Sequence, residues 1–408
     1  MCFRDYPGTT VTEHCKIKLP AERKRRDAFT PKSDINIAIE NDKEFWELFK
    51  KPNKDQAEKL KTIQSLNRKH VKDVEKKGGT GRVGLGKDFT DEMIGSYRIP
   101  LGIPELDKFL GGGFPTMSFS LSGGESVGKT TLMLILAAGL QRDNFVVGFI
   151  DAEHTLDKEW AISLGVDWDK LALNQEEVFE DQLNWAIDIL REGACDIMIL
   201  DSVDSALPRG EKETKKNVSK DMDDSTIGLK ARIMSKFYPQ ILHPLKVHQI
   251  GFGLVTQLRT TGIGSNYVRE EATGGNARKF YDTLHLVMRR GSKAEAPKDP
   301  ADDTKAIGYM LHITCKKSKI SGIREGDTMS IPFFFEKGFD PDWSYLQMAY
   351  DAGILEQKSA GSTIYHHSQG VNETIKGGKR LKVLQVMKEQ GHLDDLIMQV
   401  TGEIAEDV

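Results

Sequence analysis

Residues 123–130 read Gly-Gly-Glu-Ser-Val-Gly-Lys-Thr, a match to G-x-x-x-x-G-K-[ST]. An apolar run at 117–121 leads into this stretch and a helical run at 131–140 leaves it, so the chain reads strand, glycine-rich turn, helix. That order places the phosphates of a nucleotide. Gly123, Gly124, Glu125, Ser126, Val127 and Gly128 form a loop whose glycines let backbone N–H groups turn inward around phosphate oxygens. The helix that opens at Lys129, Thr130 and Thr131 presents its positive end to the same anion. Lys129 has the reach for the β- and γ-phosphates, and the Thr130 hydroxyl suits Mg²⁺, so ATP and Mg²⁺ are the expected ligands.

Outward from the loop, short apolar runs at 118–122, 146–150, 197–200 and 253–256 alternate with helical stretches, the pattern of a parallel sheet covered by helices. A phosphate cradle needs polar groups beside it, and three of these runs end in one. Asp201 follows 197–200 and is placed for the metal ion. Glu153 follows 146–150 and can polarise an attacking water. Gln257 follows 253–256, an amide able to touch a γ-phosphate and report through the segment after it. An α/β core is therefore expected at 88–340.

The 408 residues allow two or three domains. Residues 1–87 hold 21 Lys and Arg against 13 Asp and Glu, and the rest of the chain 36 against 48, so a basic region precedes an acidic body. Its first 30 residues read as an arm, and 35–49 and 56–74 as exposed helices suited to contact between protomers. Residues 341–408 form a small C-terminal domain with an acidic end. Segments 209–225 and 260–275 are polar, glycine-containing and long for connectors, hence candidate functional loops. The longest apolar run is too short for a bilayer, and no basic start leads into an apolar stretch, so a cytoplasmic protein with no membrane partner is expected. Cys2, Cys15, Cys195 and Cys315 show neither C-x-x-C nor zinc spacing and read as thiols.

From about Ile94 to Phe339 the chain resembles the RecA family of DNA strand-exchange recombinases. The resemblance rests on the phosphate loop, Phe149-Ile-Asp-Ala-Glu-His-Thr-Leu-Asp157, Leu200-Asp-Ser-Val-Asp204, Ile227-Gly-Leu-Lys-Ala-Arg-Ile-Met-Ser235, Thr273-Gly-Gly-Asn-Ala277 with Lys279-Phe-Tyr281, and Lys317-Ser-Lys319. It implies a RecA-type ATPase core with a mostly parallel twisted sheet, active as a DNA-dependent ATPase that forms helical filaments on single-stranded DNA and pairs it with homologous duplex. By resemblance, Glu153 is the catalytic carboxylate, Asp201 the Mg²⁺-associated acid and Gln257 the γ-phosphate sensor. Asp157 and Trp160 hold the adenine, the indole standing where many relatives have tyrosine. Lys317 and Lys319 reach the ATP of the next protomer, and 333–338 faces that neighbour. Ile227, Gly228 and Arg232 in the first loop, with Arg259, Thr273, Gly274 and Gly275 in the second, contact DNA.

Two features depart from that pattern: the charged insertion Glu211-Lys-Glu-Thr-Lys-Lys216, and Pro239 where a basic DNA contact is expected. Mediators or single-strand-binding proteins are expected partners. A RecA-fold paralogue that regulates or loads a recombinase without strand exchange is the alternative; a hexameric helicase shares the core but lacks the Thr273-Gly-Gly-Asn276 loop.

Overall fold

The computed structural model describes residues 54–76, 97–212, 228–261, 269–272, 275–302, 304–359, 361–376 and 379–406. They fall into two units. In the first is a single helix, α1 (Lys54–Lys76), on which Leu60, Ile63 and Leu66 are exposed. It overlaps the helix expected at 56–74; the arm and the helix expected at 35–49 lie outside the described residues.

The second unit runs from residue 97 onward and is built on a nine-stranded sheet. A two-residue pair, β1 (Arg98–Ile99) and β2 (Phe114–Pro115), flanks the short helix α2 (Pro104–Phe109). Then β3 (Ser118–Gly123) leads into α3 (Lys129–Arg142), and β4 (Val147–Asp151) into α4 (Lys158–Ser163). β5 (Leu171–Asn174) and α5 (Phe179–Glu192) follow, then β6 (Ile197–Asp201), the short α6 (Arg209–Lys212) and the long α7 (Leu229–His248). β7 (Gly251–Thr261), β8 (Arg269–Ala272), α8 (Gly275–Tyr281), β9 (Leu284–Arg290), β10 (Gly308–Ser318) and β11 (Thr328–Phe334) complete the core. Strand order is β11-β10-β9-β3-β7-β6-β4-β5, with β8 paired to β7. β9 through β5 are parallel and β10 and β11 antiparallel. The four apolar runs read from the sequence are β3, β4, β6 and β7.

Each face of the sheet is sealed by helices. On one, Leu132, Met133, Leu136, Ala137 and Leu140 of α3 bury against Phe119, Leu121 and Phe149. On the other, Leu183, Ala186, Ile187 and Leu190 of α5 and Met234, Phe237, Ile241 and Leu245 of α7 bury with Met198, Leu200, Phe252 and Leu254. Continuous helix covers make parallel strands apolar on both sides. β3 is the exception. Phe119 and Leu121 alternate with Ser118, Ser120 and Ser122, yet all five are fully buried. The serines meet a polar network rather than water. Ser118 donates to Asp282 at 2.6 Å, Arg278 donates to Ser120 at 3.0 Å, and Ser122 contacts Thr256 at 2.7 Å and His285 at 2.8 Å.

After the core come α9 (Pro341–Asp351), the meander β12 (Leu355–Ser359), β13 (Ser362–His366) and β14 (Asn372–Lys376), then α10 (Arg380–Gln390) and α11 (Leu393–Glu406). Asp340 caps α9 by accepting from the N–H of Asp342, with Pro341 in the first turn, a helix start that needs no intrahelical donor. Trp343, Leu346, Tyr365, Ile375, Leu384, Met387 and Leu396 make an apolar centre of their own. Among the described residues no helix is long and apolar enough to cross a membrane.

Candidate functional site

Parallel pairing brings the carboxyl ends of β3, β4, β6 and β7 to one edge: Gly123 lies beside Gln257, and Asp151 beside Asp201. A cavity of about 610 Å³ opens there. It is lined by Glu125, Ser126, Val127, Gly128, Lys129, Thr130, Thr131, Glu153, Asp201 and Gln257, all expected from the sequence, and by Arg290, Tyr309, Phe333 and Phe335.

Loop geometry explains the residue types. Gly128 has φ +89°, and a Cβ on it would lie 2.7 Å from the Phe333 ring. Only glycine fits both restraints. Lys129 is buried, and its ammonium donates to the carbonyls of Gly123 at 3.1 Å and Gly124 at 2.6 Å. Burial lowers its pKa, opposed by the charges of Asp201 and Glu153. A buried cation held only by neutral carbonyls is chemically complementary to phosphate.

Thr130 donates to Asp201 at 2.6 Å. Burial pushes the Asp201 carboxyl up to about 6, with the Thr130 hydrogen bond pulling the other way. A hydroxyl at the helix start beside a carboxylate at the end of β6 offers oxygen donors of the kind a hard cation such as Mg²⁺ takes. Glu153 stands two residues beyond β4, and one oxygen accepts from Ser202 at 2.8 Å and Ser205 at 2.9 Å. Gln257 gives its backbone N–H to Asp204 at 2.7 Å and lines the cavity.

Asp157 and Trp160 sit elsewhere. Asp157 caps α4, accepting from the N–H of Trp160 at 3.0 Å. The indole N–H donates to Thr131 at 3.3 Å, and the ring packs against the first core. Neither residue is among those lining the cavity; Thr131 connects them to it. Phe333 and Phe335, from the segment expected to face a neighbour, also line this cavity. They arrive on the β10–β11 hairpin, which stacks Tyr309 on Phe333 with ring centroids 4.9 Å apart. Arg290 lies over the Tyr309 ring at 3.9 Å and donates to the Ser126 carbonyl at 3.0 Å. Those four residues carry no local motif.

Lys317 and Lys319 fall at the far edge of the sheet. Lys317 pairs with His285, and Ser318 with Leu284, which in turn aligns with Phe119, near the amino end of β3. The ammonium of Lys317 donates to the carbonyls of Lys279 and Phe280, and that of Lys319 to Phe280 at 2.7 Å. Both lysines therefore rest on the end of α8, remote from their own phosphate loop.

Of the first candidate loop, α6 opens the segment and Gly228 ends it, with φ +108° at the start of α7. Arg232 is exposed one turn on, and its N–H bonds the Gly228 carbonyl at 2.9 Å. Pro239 and Pro244 lie inside α7. The second candidate loop, 260–275, has a strand-paired base: Leu258 opposes Ala272 and Arg259 opposes Glu271 across β7 and β8. Gly275 is the first residue of α8. Ile227, Thr273 and Gly274 lie outside the described residues.

Residues 65–340 match the sequence model of the RecA N-terminal domain. The RecA protein of Petrotoga mobilis is 32% identical over 337 residues, covering 82% of this chain and 87% of the relative. That of Thermotoga neapolitana is 30% identical over 349 residues, 83% and 92%. That of Mycobacteroides abscessus is 35% identical over 268 residues, 65% and 73%.

Proposed function

The chain belongs to the RecA family, and from that premise we propose that this recombination ATPase polymerises on single-stranded DNA and exchanges strands with homologous duplex. One observation carries the reading: Lys129, Thr130, Glu153, Asp201 and Gln257 converge on one cavity, and the strand bearing Gln257 runs on into the second candidate DNA loop.

In the proposed reaction Lys129 leaves the Gly123 and Gly124 carbonyls to neutralise the β- and γ-phosphates of ATP. Thr130 and Asp201 would hold Mg²⁺, which would supply charge neutralisation for the phosphates. Glu153, fixed by Ser202 and Ser205, orients and deprotonates the attacking water. The exposed ring of Phe335, beside Tyr309 and Phe333, offers a flat apolar wall for the base. Gln257 reads the γ-phosphate and passes its position along β7 to Arg259, Thr273, Gly274 and Gly275, while Ile227, Gly228 and Arg232 meet DNA from the other loop.

Lys317 aligns through β9 with the amino-terminal half of β3, whereas the phosphate loop leaves that strand's carboxyl end, so the two lysines are suited to a neighbour's site rather than their own. They act on the ATP of an adjacent protomer, so assembly on DNA completes the site. A heterologous contact of this kind, repeated, makes a filament. Circular single strands mixed with homologous linear duplex test the proposal: joint molecules should form with ATP and Mg²⁺ and be absent without ATP. DNA-stimulated hydrolysis with no joint molecules would point to a regulatory paralogue.

A further inference from the structure

We propose that His367, Glu373 and His392 bind a divalent transition-metal ion of the Zn²⁺ class, joining the β13–β14 hairpin to the corner between α10 and α11. The three donors come from separate places in the chain. His367 follows β13 directly, Glu373 is on β14, and His392 occupies the turn from α10 into α11. Their atoms nevertheless converge. One Glu373 oxygen lies 3.2 Å from His367 Nε2 and 3.0 Å from His392 Nε2. All three donor atoms lie within 4.8 Å of one another, and among the described residues this is the one such group.

Zinc bound at about 2.0–2.2 Å by nitrogen and oxygen places neighbouring tetrahedral donors roughly 3.3 Å apart. Both nitrogen-to-oxygen separations here are close to that figure. The two imidazoles stand edge to face, planes at 88° and centroids 4.8 Å apart, so they approach the carboxylate from different directions. Side-chain exposures of 17%, 33% and 24% leave the cluster open to water on one side, with room for a fourth ligand. Two imidazoles and a carboxylate, with no thiolate, suit Zn²⁺ better than Ca²⁺ or Mg²⁺, which prefer all-oxygen sets.

The surroundings also favour a ligand role. Asp395 lies 3.8 Å from His367 Nδ1, on the ring nitrogen that faces away from Glu373. A carboxylate behind a metal-bound imidazole orients the ring and raises its basicity. Asp395 is itself fixed by hydrogen bonds from Ser368, Tyr365 and Gln399. The backbone is equally settled: His367 N–H donates to Val371 at 2.9 Å, and His392 N–H to Met387 at 2.9 Å.

The test uses untagged full-length protein, stripped of metal and nucleotide, titrated with Zn²⁺ and separately with Co²⁺ as a spectroscopic probe. Expected are about one bound equivalent, the visible band of four-coordinate Co²⁺, and a higher melting temperature with Zn²⁺. His392→Ala and Glu373→Gln should lose all three responses while keeping the circular dichroism of the metal-free parent. His312→Ala should keep them, since that ring pairs only with Glu295 at 3.0 Å and Ser330 at 2.7 Å among the described residues. Glu373→Gln conserves shape, so it guards against a folding artefact. No bound equivalent in the parent, or equal affinity in Glu373→Gln, would overturn the assignment.

Discussion

Replacing Asp282 by alanine should destabilise the protein by about 3–5 kcal/mol, the usual cost of stranding one member of a buried charge pair. Asp282 and Arg278 are both buried, one turn apart at the end of α8, with Arg Nη1 4.0 Å from Asp Oδ2. The Asp282 carboxylate also accepts from Ser118 at 2.6 Å and Tyr238 at 2.9 Å. Burial raises its pKa, and these partners with Arg278 work against that rise. Without the carboxylate, the guanidinium retains its bond to Ser120 at 3.0 Å but no counter-charge. Arg278→Leu should cost a similar amount for the mirror reason. The double variant removes both charges, so it should cost about as much as one single change, a coupling of roughly 3–5 kcal/mol. Urea unfolding of nucleotide-free protein measures all three. Single changes each below about 1 kcal/mol, or costs that add to within about 0.5 kcal/mol, would refute the buried-pair reasoning.

Lys129→Ala should weaken ATP binding by about tenfold to a hundredfold, since a charge-assisted bond contributes about 1.5–3 kcal/mol, and should abolish turnover; equilibrium binding and phosphate release check both. Glu153→Gln should retain ATP but hydrolyse it slowly, because an amide fills the space between Ser202 and Ser205 without accepting a proton; normal turnover would assign the water to another residue. His285 is held down to about 3, first by burial and then by the charge of Arg278. Its unfolded form takes up a proton below its ordinary value of 6.5, so stability falls as pH drops from there towards 3. Between pH 7 and pH 5 this amounts to about 2 kcal/mol, and His285→Gln should lose that increment in urea midpoints at the two pH values.

The phosphate loop and its strand were visible in the sequence because a local pattern of glycines, an apolar run and a helix start fixes them. Glu153, Asp201 and Gln257 were visible for a related reason: parallel strands share a carboxyl edge, so a polar residue ending each run lands near the others. Arg290, Tyr309, Phe333 and Phe335 were not. They reach the cavity only when the β10–β11 hairpin folds beside β9, and no spacing within the hairpin marks that contact. The serine face of β3 was equally hidden, since alternating serines suggest a solvated side. Its partners Arg278 and Asp282 have the look of an ordinary surface pair four residues apart. The second loop's strand-paired base went unread because Arg269-Glu-Glu271 has poor strand propensity and pairs through β7 alone.

Mixing protomers tests most directly the claim that assembly on DNA completes the ATP site. Filaments of Glu153→Gln chains lack the water-orienting carboxylate, and filaments of the Lys317→Ala/Lys319→Ala double variant lack the donated charge; each alone should hydrolyse ATP slowly on single-stranded DNA. In an equal mixture about a quarter of the interfaces pair an intact Glu153 with intact lysines, so hydrolysis should recover to roughly that share of the parent rate. Co-assembled filaments no faster than either variant alone would contradict a shared site and return the two lysines to the end of α8 as structural contacts.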